Sequence, residues 1–309
     1  MGEQTLVIGA ILLDTKGKPR EGLEPGTSNP AAIRSTRGGT ARNVAENLAL
    51  LGAEVTLISA VGDDVTGRRL LAQTAETGVN LDYVRTIQGE NTGAYIAILD
   101  LDGSLAVALD DVDVMRHITP EYLYEHEALF AGANMVVMDG SLVPEAMETV
   151  IQLTQQYHIP LCADPSSARL AYKLRPYFPY LRFVAPNEVE AAELCQVDYP
   201  GDDPDLSLDL ARQLVKMGVE IAVVTLPDFG IHYATSDETG TIPAKYSEMV
   251  DSTGTGDAVT AAIIFGLINE LPTIEALRLG VAAAGLTLQT AETVVPDLSL
   301  DMLYEHLIV

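Results

Sequence analysis

Asp251-Ser252-Thr253-Gly254-Thr255-Gly256-Asp257 stands immediately before a predominantly apolar stretch that predicts a long buried helix to Leu267. Two glycines let the backbone turn so that successive N–H groups converge on one point, and a helix N-terminus adds roughly half a positive charge there. The junction therefore reads as an anion hole built without any basic side chain. Asp257, at the helix start, is placed to accept a proton from an attacking hydroxyl while the amides stabilise a transferring phosphoryl group. The plainer reading is a glycine turn with Asp257 as the helix cap.

The charge balance explains why such a device matters. The chain has 309 residues with Lys plus Arg 18 against Asp plus Glu 44, a formal net charge of -26 at pH 7. That field repels polynucleotide and anionic lipid, so neither a nucleic-acid nor a membrane partner is expected. A small anionic ligand needs backbone N–H groups or a divalent cation to neutralise its site. Composition is that of an ordinary globular protein, hydrophobic 48% and charged 20%, with one large α/β domain over 1–309 expected. Cys162 and Cys195 are far apart and form no CxxC pair, so both read as core thiols of a reducing compartment. The N-terminus, Met1-Gly2-Glu3-Gln4-Thr5-Leu6-Val7-Ile8-Gly9, has no basic region and predicts a strand rather than a signal peptide. A cytoplasmic location is expected.

Outward from the junction, buried-strand runs alternate with helical periodicity. Strands are expected at Thr5–Leu13, Val55–Ser59, Met135–Met138, Leu161–Ala163, Phe183–Ala185 and Ile221–Thr225. Helices are expected at Asn43–Leu51, Gly67–Glu76, Pro144–Tyr157, Leu206–Met217 and Ile274–Thr290. That alternation predicts a mostly parallel sheet with helices on both faces, a three-layer α/β/α fold. Ala94–Leu99 and Leu105–Leu109 flank Asp100-Leu101-Asp102-Gly103 as a hairpin, and a second hairpin is expected around His232–Pro243. A small β-sheet appendage from 14–37 and 94–110 follows. In open α/β sheets, ligands bind beyond the carboxyl ends of the strands.

Three further segments fall there. Gly38-Gly39-Thr40-Ala41-Arg42-Asn43 enters a helix; its glycines allow close approach of a ligand, and Asn43 offers a donor and an acceptor suited to sugar hydroxyls, unless it is an ordinary loop. Asp14 and Asp139, each at a strand end, read either as hydroxyl clamps or as turn residues. Asn187 and Glu190 have the spacing of a capping box; a functional reading sets them on the waters of a hydrated Mg²⁺. Thr225-Leu226-Pro227-Asp228-Phe229-Gly230 reads as a turn or as a nucleotide-side loop. The five histidines show no metal-ligand spacing, and no Gly-x-Ser-x-Gly elbow or Walker A pattern is present.

Taken together, Gly38-Gly39 with Asn43, Asn187-x-x-Glu190, and Asp251 to Asp257 resemble, in order and spacing, the ribokinase-like or PfkB family of sugar and nucleoside kinases, over nearly the whole chain. The resemblance implies the ribokinase-like fold, with the β appendage as a lid and dimer contact. It implies Asp257 as general base and Gly254, Thr255 and Gly256 as the anion hole. Asn187 and Glu190 would manage Mg²⁺ and phosphates, Thr225 and Gly230 the nucleotide, and Asp14, Gly39, Asn43 and Asp139 the sugar. Asp251 would orient a K⁺ site, as in some relatives. Ser28-Asn29-Pro30, the stretch Gly38 to Ala49, and Gly89-Glu90-Asn91-Thr92 most resemble pseudouridine kinases, which phosphorylate the 5′-hydroxyl of a C-nucleoside with ATP. Ribose, a ketohexose or an N-nucleoside are the alternative substrates, and a non-catalytic binding protein the alternative class. Two positions depart from the family pattern: Leu12 stands where many members have Asn, and Pro227 replaces a glycine. An isolated Asp257 of pKa about 4 is expected to be ionised at neutral pH.

Overall fold

The computed structural model describes residues 4–199, 201, 203–228, 230–244 and 249–307. Met1 to Glu3 and Phe229, which belong to segments read above, lie outside the described residues.

The strands are β1 (Gln4–Ile8), β2 (Leu12–Pro19), β3 (Ala31–Gly38), β4 (Glu54–Gly62), β5 (Val84–Ile87), β6 (Ala94–Leu99), β7 (Leu105–Asp111), β8 (Ala133–Asp139), β9 (Leu161–Asp164), β10 (Leu181–Val184), β11 (Ile221–Thr225), β12 (Ile231–Thr235) and β13 (Thr239–Ile242). The helices are α1 (Thr40–Leu50), α2 (Val65–Ala75), α3 (Pro120–Glu125), α4 (Glu127–Gly132), α5 (Pro144–Tyr157), α6 (Ala168–Ala171), α7 (Glu188–Cys195), α8 (Pro204–Lys216), α9 (Thr255–Ile268), α10 (Thr273–Thr287) and α11 (Leu300–His306). The large sheet runs β13-β12-β11-β10-β9-β8-β1-β4-β5. It is parallel from β11 to β5 and antiparallel only at the β11-β12-β13 edge.

Alternation along the central strands sorts side chains into two cores. Val7, Met135, Val137, Cys162, Phe183 and Val223 face one core with α1, α9 and α10. Their neighbours Leu6, Ile8, Val136, Met138, Val184 and Val224 face the other with α5, α7 and α8. Helix α9 is buried on nearly every side, which accounts for an apolar run that is too short to span a bilayer. Among the described residues no helix is long and apolar enough to cross a membrane.

The expected strand Thr5–Leu13 is in fact two strands. The chain leaves the large sheet at Gly9 and re-enters at Leu12 as β2 of a separate four-stranded sheet, β3-β2-β6-β7. Asp14 therefore sits on this small sheet, not at the end of the first strand. Helix α1 begins at Thr40, three residues earlier than its apolar period shows, because Gly39 holds φ 94 and a Cβ there would lie 2.3 Å from the Ala10 carbonyl oxygen. Only glycine lets the chain turn that closely under the end of β1.

Candidate active site

The carboxyl ends of β8, β9 and β11, the N-termini of α1 and α9, and one face of the small sheet enclose a cleft of about 430 Å³, large enough for a nucleoside. Asp14, Gly39, Asn43, Asp139, Asn187, Glu190, Thr225, Gly254, Gly256 and Asp257 all line it. Gly230 does not: it lies at the hairpin into β12, its carbonyl accepting from Leu226 N at 3.0 Å. Thr255 and Asp251 are likewise absent from the lining.

At the start of α9 the amides of Gly256 and Asp257 have no helical partner, and that of Thr255, read from the sequence together with Gly256, does not stay with them. Gly254 adopts φ 80, and a Cβ there would lie 2.0 Å from the Thr293 carbonyl oxygen. Ala258 N closes the first helical bond onto Gly254 O at 2.9 Å. The N–H groups of Gly256 and Asp257 precede that bond, so they have no partner within the helix and point out of its end. Thr255 N instead turns back to Ser252 O at 3.3 Å, which takes it out of the set read from the sequence.

Asp257 projects from this turn to the cleft floor, where Asn43 Nδ2 donates to its Oδ2 at 2.5 Å. Its carboxyl is pushed up from 3.8 to about 8, first by burial and then by the neighbouring Asp164. The aspartate is not isolated, as the sequence reading had it: Asn43 and Asp164 flank it, and burial together with the Asp164 charge favours its protonated form more than in a solvated carboxyl. Glu190 is raised to about 8, by burial and then by Asp164. Asp164 itself, raised to about 6 by burial, accepts from Thr260 Oγ1 and Ser166 N, both at 2.9 Å. Sequence reading passed over Asp164, although it ends a buried strand and pairs in register with Asp139; the strand-end rule that singled out Asp139 applies to it equally.

Other residues have their polar atoms already engaged. Asp139 accepts from Ala10 N at 2.9 Å, Ala41 N at 3.1 Å and Ser141 N at 2.9 Å, so it pins the end of β1 and the start of α1 beneath the cleft. Asn187 and Glu190 form a complete capping box: Glu190 N donates to Asn187 Oδ1 at 2.9 Å, and Asn187 N to Glu190 Oε2 at 2.8 Å. Both still border the cleft. Asn43 is committed at each end of its amide, Oδ1 accepting from Arg42 Nη2 and Nδ2 donating to Asp257. Asp251 receives Lys16 Nζ at 2.7 Å, so a monovalent cation on that carboxylate would have to displace the lysine.

Across the cleft, the small sheet presents Asp14, Tyr95 and Asp110 as one row, since Asp14 pairs with Tyr95 and Tyr95 with Asp110. Asp14 is raised to about 6 by burial, against the pull of Arg42 and Lys16. Leu12, Leu105 and Val112 complete an apolar wall around this row. Tyr95 and Asp110 escaped the sequence reading because only strand register brings them opposite the floor. No group of three or more His, Cys, Asp or Glu arranged as metal ligands occurs among the described residues. The donor set of Asp164, Glu190 and Asn187 fits Mg²⁺ nevertheless: this ion keeps most of its waters and needs few direct ligands, and two buried carboxylates here lack a countercharge.

Comparison with known proteins agrees with this geometry. The model of the pfkB family carbohydrate kinases matches residues 3–299. A pseudouridine kinase of Escherichia coli is 32% identical over 96% of this chain and 94% of its own. A guanosine-inosine kinase of Exiguobacterium acetylicum is 30% identical over 94% and 97% respectively. Among solved structures, a carbohydrate kinase from Agrobacterium tumefaciens superposes with TM-score 0.81 at 29% identity, covering 99% of this chain and 97% of that one. A ribokinase from Giardia lamblia reaches TM-score 0.86 at 18% identity over 99% and 98%, a likeness of fold. A match across nearly the whole chain, on a cleft that holds the family's motifs in place, means that this chain belongs to the pfkB family of carbohydrate kinases.

Proposed function

We propose that the protein transfers the γ-phosphoryl group of ATP to the 5′-hydroxyl of pseudouridine, with Asp257 as general base and Mg²⁺ as the required ion. Family membership gives the coarser statement by itself: an ATP-binding kinase acting on a sugar or nucleoside hydroxyl. The observation that carries the finer one is the wall facing Asp257. A free sugar would leave Leu12, Tyr95, Leu105 and Val112 facing water, whereas a planar base stacks on them. Asp110 adds an acceptor on the same sheet. The exposed edge of pseudouracil carries two ring N–H groups where uracil joined through nitrogen carries one, so a carboxylate acceptor favours the C-nucleoside.

In the chemical step the sugar hydroxyl attacks the γ-phosphorus, its proton passes to an Asp257 oxygen, and the P–O bond to ADP breaks. Gly254, Gly256 and the Asp257 amide stabilise charge on the equatorial oxygens. Bound through water by Glu190, Asn187 and Asp164, Mg²⁺ would supply the positive charge that offsets the phosphates. Asp14 and Gly39 border the sugar from the other side, and Thr225 the nucleotide. The small sheet acts as a lid, and its outer face carries Ile33, Ile96, Val107 and Leu109, exposed by 73%, 43%, 48% and 63%. Apolar exposure on that scale supports a homodimer formed face to face through the lids.

Steady-state kcat/KM with ATP over pseudouridine, uridine, guanosine, ribose and fructose tests the substrate. Pseudouridine is expected to lead uridine by at least tenfold, the worth of about one well-placed hydrogen bond. A lead for ribose or fructose would reject a nucleoside, and equal rates for the two uracil nucleosides would remove the role of Asp110.

A further inference from the structure

Helix α1 contains one side chain that neither the phosphoryl-transfer reading nor the sugar reading uses. Arg42 is wholly buried, with 0% of its surface exposed, and so is its neighbour Glu46 one turn on. Burying an arginine is costly unless it is paired and hydrogen-bonded, and the partners of this one are not random. Its Nε donates to Gly38 O at 2.8 Å, the last residue of lid strand β3. Its Nη1 lies 2.8 Å from Glu46 Oε1. Its Nη2 donates to Thr293 Oγ1 at 3.0 Å and to Asn43 Oδ1. Thr293 in turn donates to Arg37 O at 2.7 Å and presents the carbonyl against which Gly254 packs.

We propose that Arg42 is a positioning residue for phosphoryl transfer, which through one guanidinium sets the amide of Asn43 towards Asp257, the anion-hole turn at Gly254 and the hinge of the lid. The key point is the asymmetry of an amide. Asn43 has an acceptor at one end and a donor at the other, and a guanidinium can only donate. With Oδ1 held by Arg42, Nδ2 must face Asp257, where it stabilises the ionised carboxylate against burial and Asp164. Were the amide free to turn, Oδ1 could instead accept a hydrogen bond from the protonated carboxyl, which favours the neutral form and opposes the ionisation that a base requires. The Glu46 carboxylate keeps the guanidinium charged and in place, and is itself held by Thr74 Oγ1 at 2.8 Å and Arg37 at 3.4 Å.

This inference rests on Asp257 being the base, so Asp257→Asn is assayed beside it. The principal variant is Arg42→Lys, which retains the charge next to Glu46 but has one nitrogen in place of the planar fork whose three nitrogens reach Gly38, Glu46, and Thr293 with Asn43. The expected result is a drop in kcat of at least about tenfold, with little change in the KM for ATP. The acid limb of the kcat/KM profile should also move up by about one pH unit, a tenfold loss of ionised base below it. A merely structural role would lower the melting temperature and the fraction of active enzyme, leaving the pH profile of the remaining enzyme where it was. Glu46→Gln is the control for that case, expected to lose stability while the acid limb stays in place. If Arg42→Lys does not fold, the pair Arg42→Gln with Glu46→Gln removes both charges together and leaves neither unpaired, and it should show the same upward move. An unshifted profile in the folded Arg42 variant, with Asp257→Asn inactive, overturns the positioning role alone. Retained turnover in Asp257→Asn overturns both.

Discussion

Replacing Asp257 by Asn should make the protein more stable, and increasingly so as the pH rises. The carboxyl of Asp257 is raised in the folded chain to about 8 from 3.8, so the folded state binds a proton that the unfolded chain releases. The stability tied to that proton is complete below about pH 4 and is lost as the pH climbs towards 8. For a site sealed from water the loss is about 1.4 kcal/mol per pH unit, or ~3 kcal/mol between pH 5 and pH 7. Solvent reaches the cleft floor at Asp257, which is only partly buried, and screening is expected to leave about half, ~1.5 kcal/mol. Asparagine does not titrate and keeps a group of the same shape beside Asn43. The stability difference between variant and wild type should therefore widen by ~1.5 kcal/mol from pH 5 to pH 7, about 3 °C in melting temperature for a chain of this length. The assay is thermal unfolding at pH 5, 6 and 7 without nucleotide or divalent cation, alongside urea titration at the same pH values. Parallel curves for the two proteins, or a gap that narrows with pH, would refute the account of a partly buried carboxyl crowded by a neighbouring acid. Turnover in the same variant should fall by at least about 10²-fold.

Four other outcomes follow from named contacts. Wild-type kcat/KM should rise with pH above the ordinary carboxylate range, because burial and Asp164 push the Asp257 carboxyl up; a flat profile from pH 5 to 9 would contradict it. Gly254→Ala places a methyl 2.0 Å from the Thr293 carbonyl at φ 80, so kcat should collapse and stability fall by about 1–3 kcal/mol, read by kinetics and urea unfolding. Lys16→Met removes the contact between the lid and Asp251; at side chains about a quarter exposed the pair is worth ~1 kcal/mol or less, so little global stability is lost, while cleavage of the 12–38 segment by protease should quicken. Ile33→Lys with Leu109→Lys places charge on the outer lid face and should halve the mass seen in sedimentation if the lids pair; an unchanged mass would reject that face as the dimer contact.

The mostly parallel large sheet, its two helical layers and the β6–β7 hairpin of the small sheet are legible in the sequence, because period-2 and period-3.6 patterns and glycine turns are local properties of the chain. Legible for the same reason are the glycine turn before α9 and the capping box at Asn187 and Glu190, whose partners lie within a few residues. What the sequence does not contain is distance between segments. That Asp164 lies near enough to Asp257 and Glu190 to raise both, that Thr255 N turns back to Ser252, and that Asn43 Nδ2 donates to Asp257 depend on where β9, α1 and α9 meet. Asp14 is the plainest case: a break at Gly9 moves it from one sheet to another, and a run of apolar residues reads the same whether or not the chain bends within it. Residue types and local periods thus determined the elements and the kind of chemistry, whereas burial and through-space charge, which exist only once those elements pack, decided which groups hold protons and which are already taken.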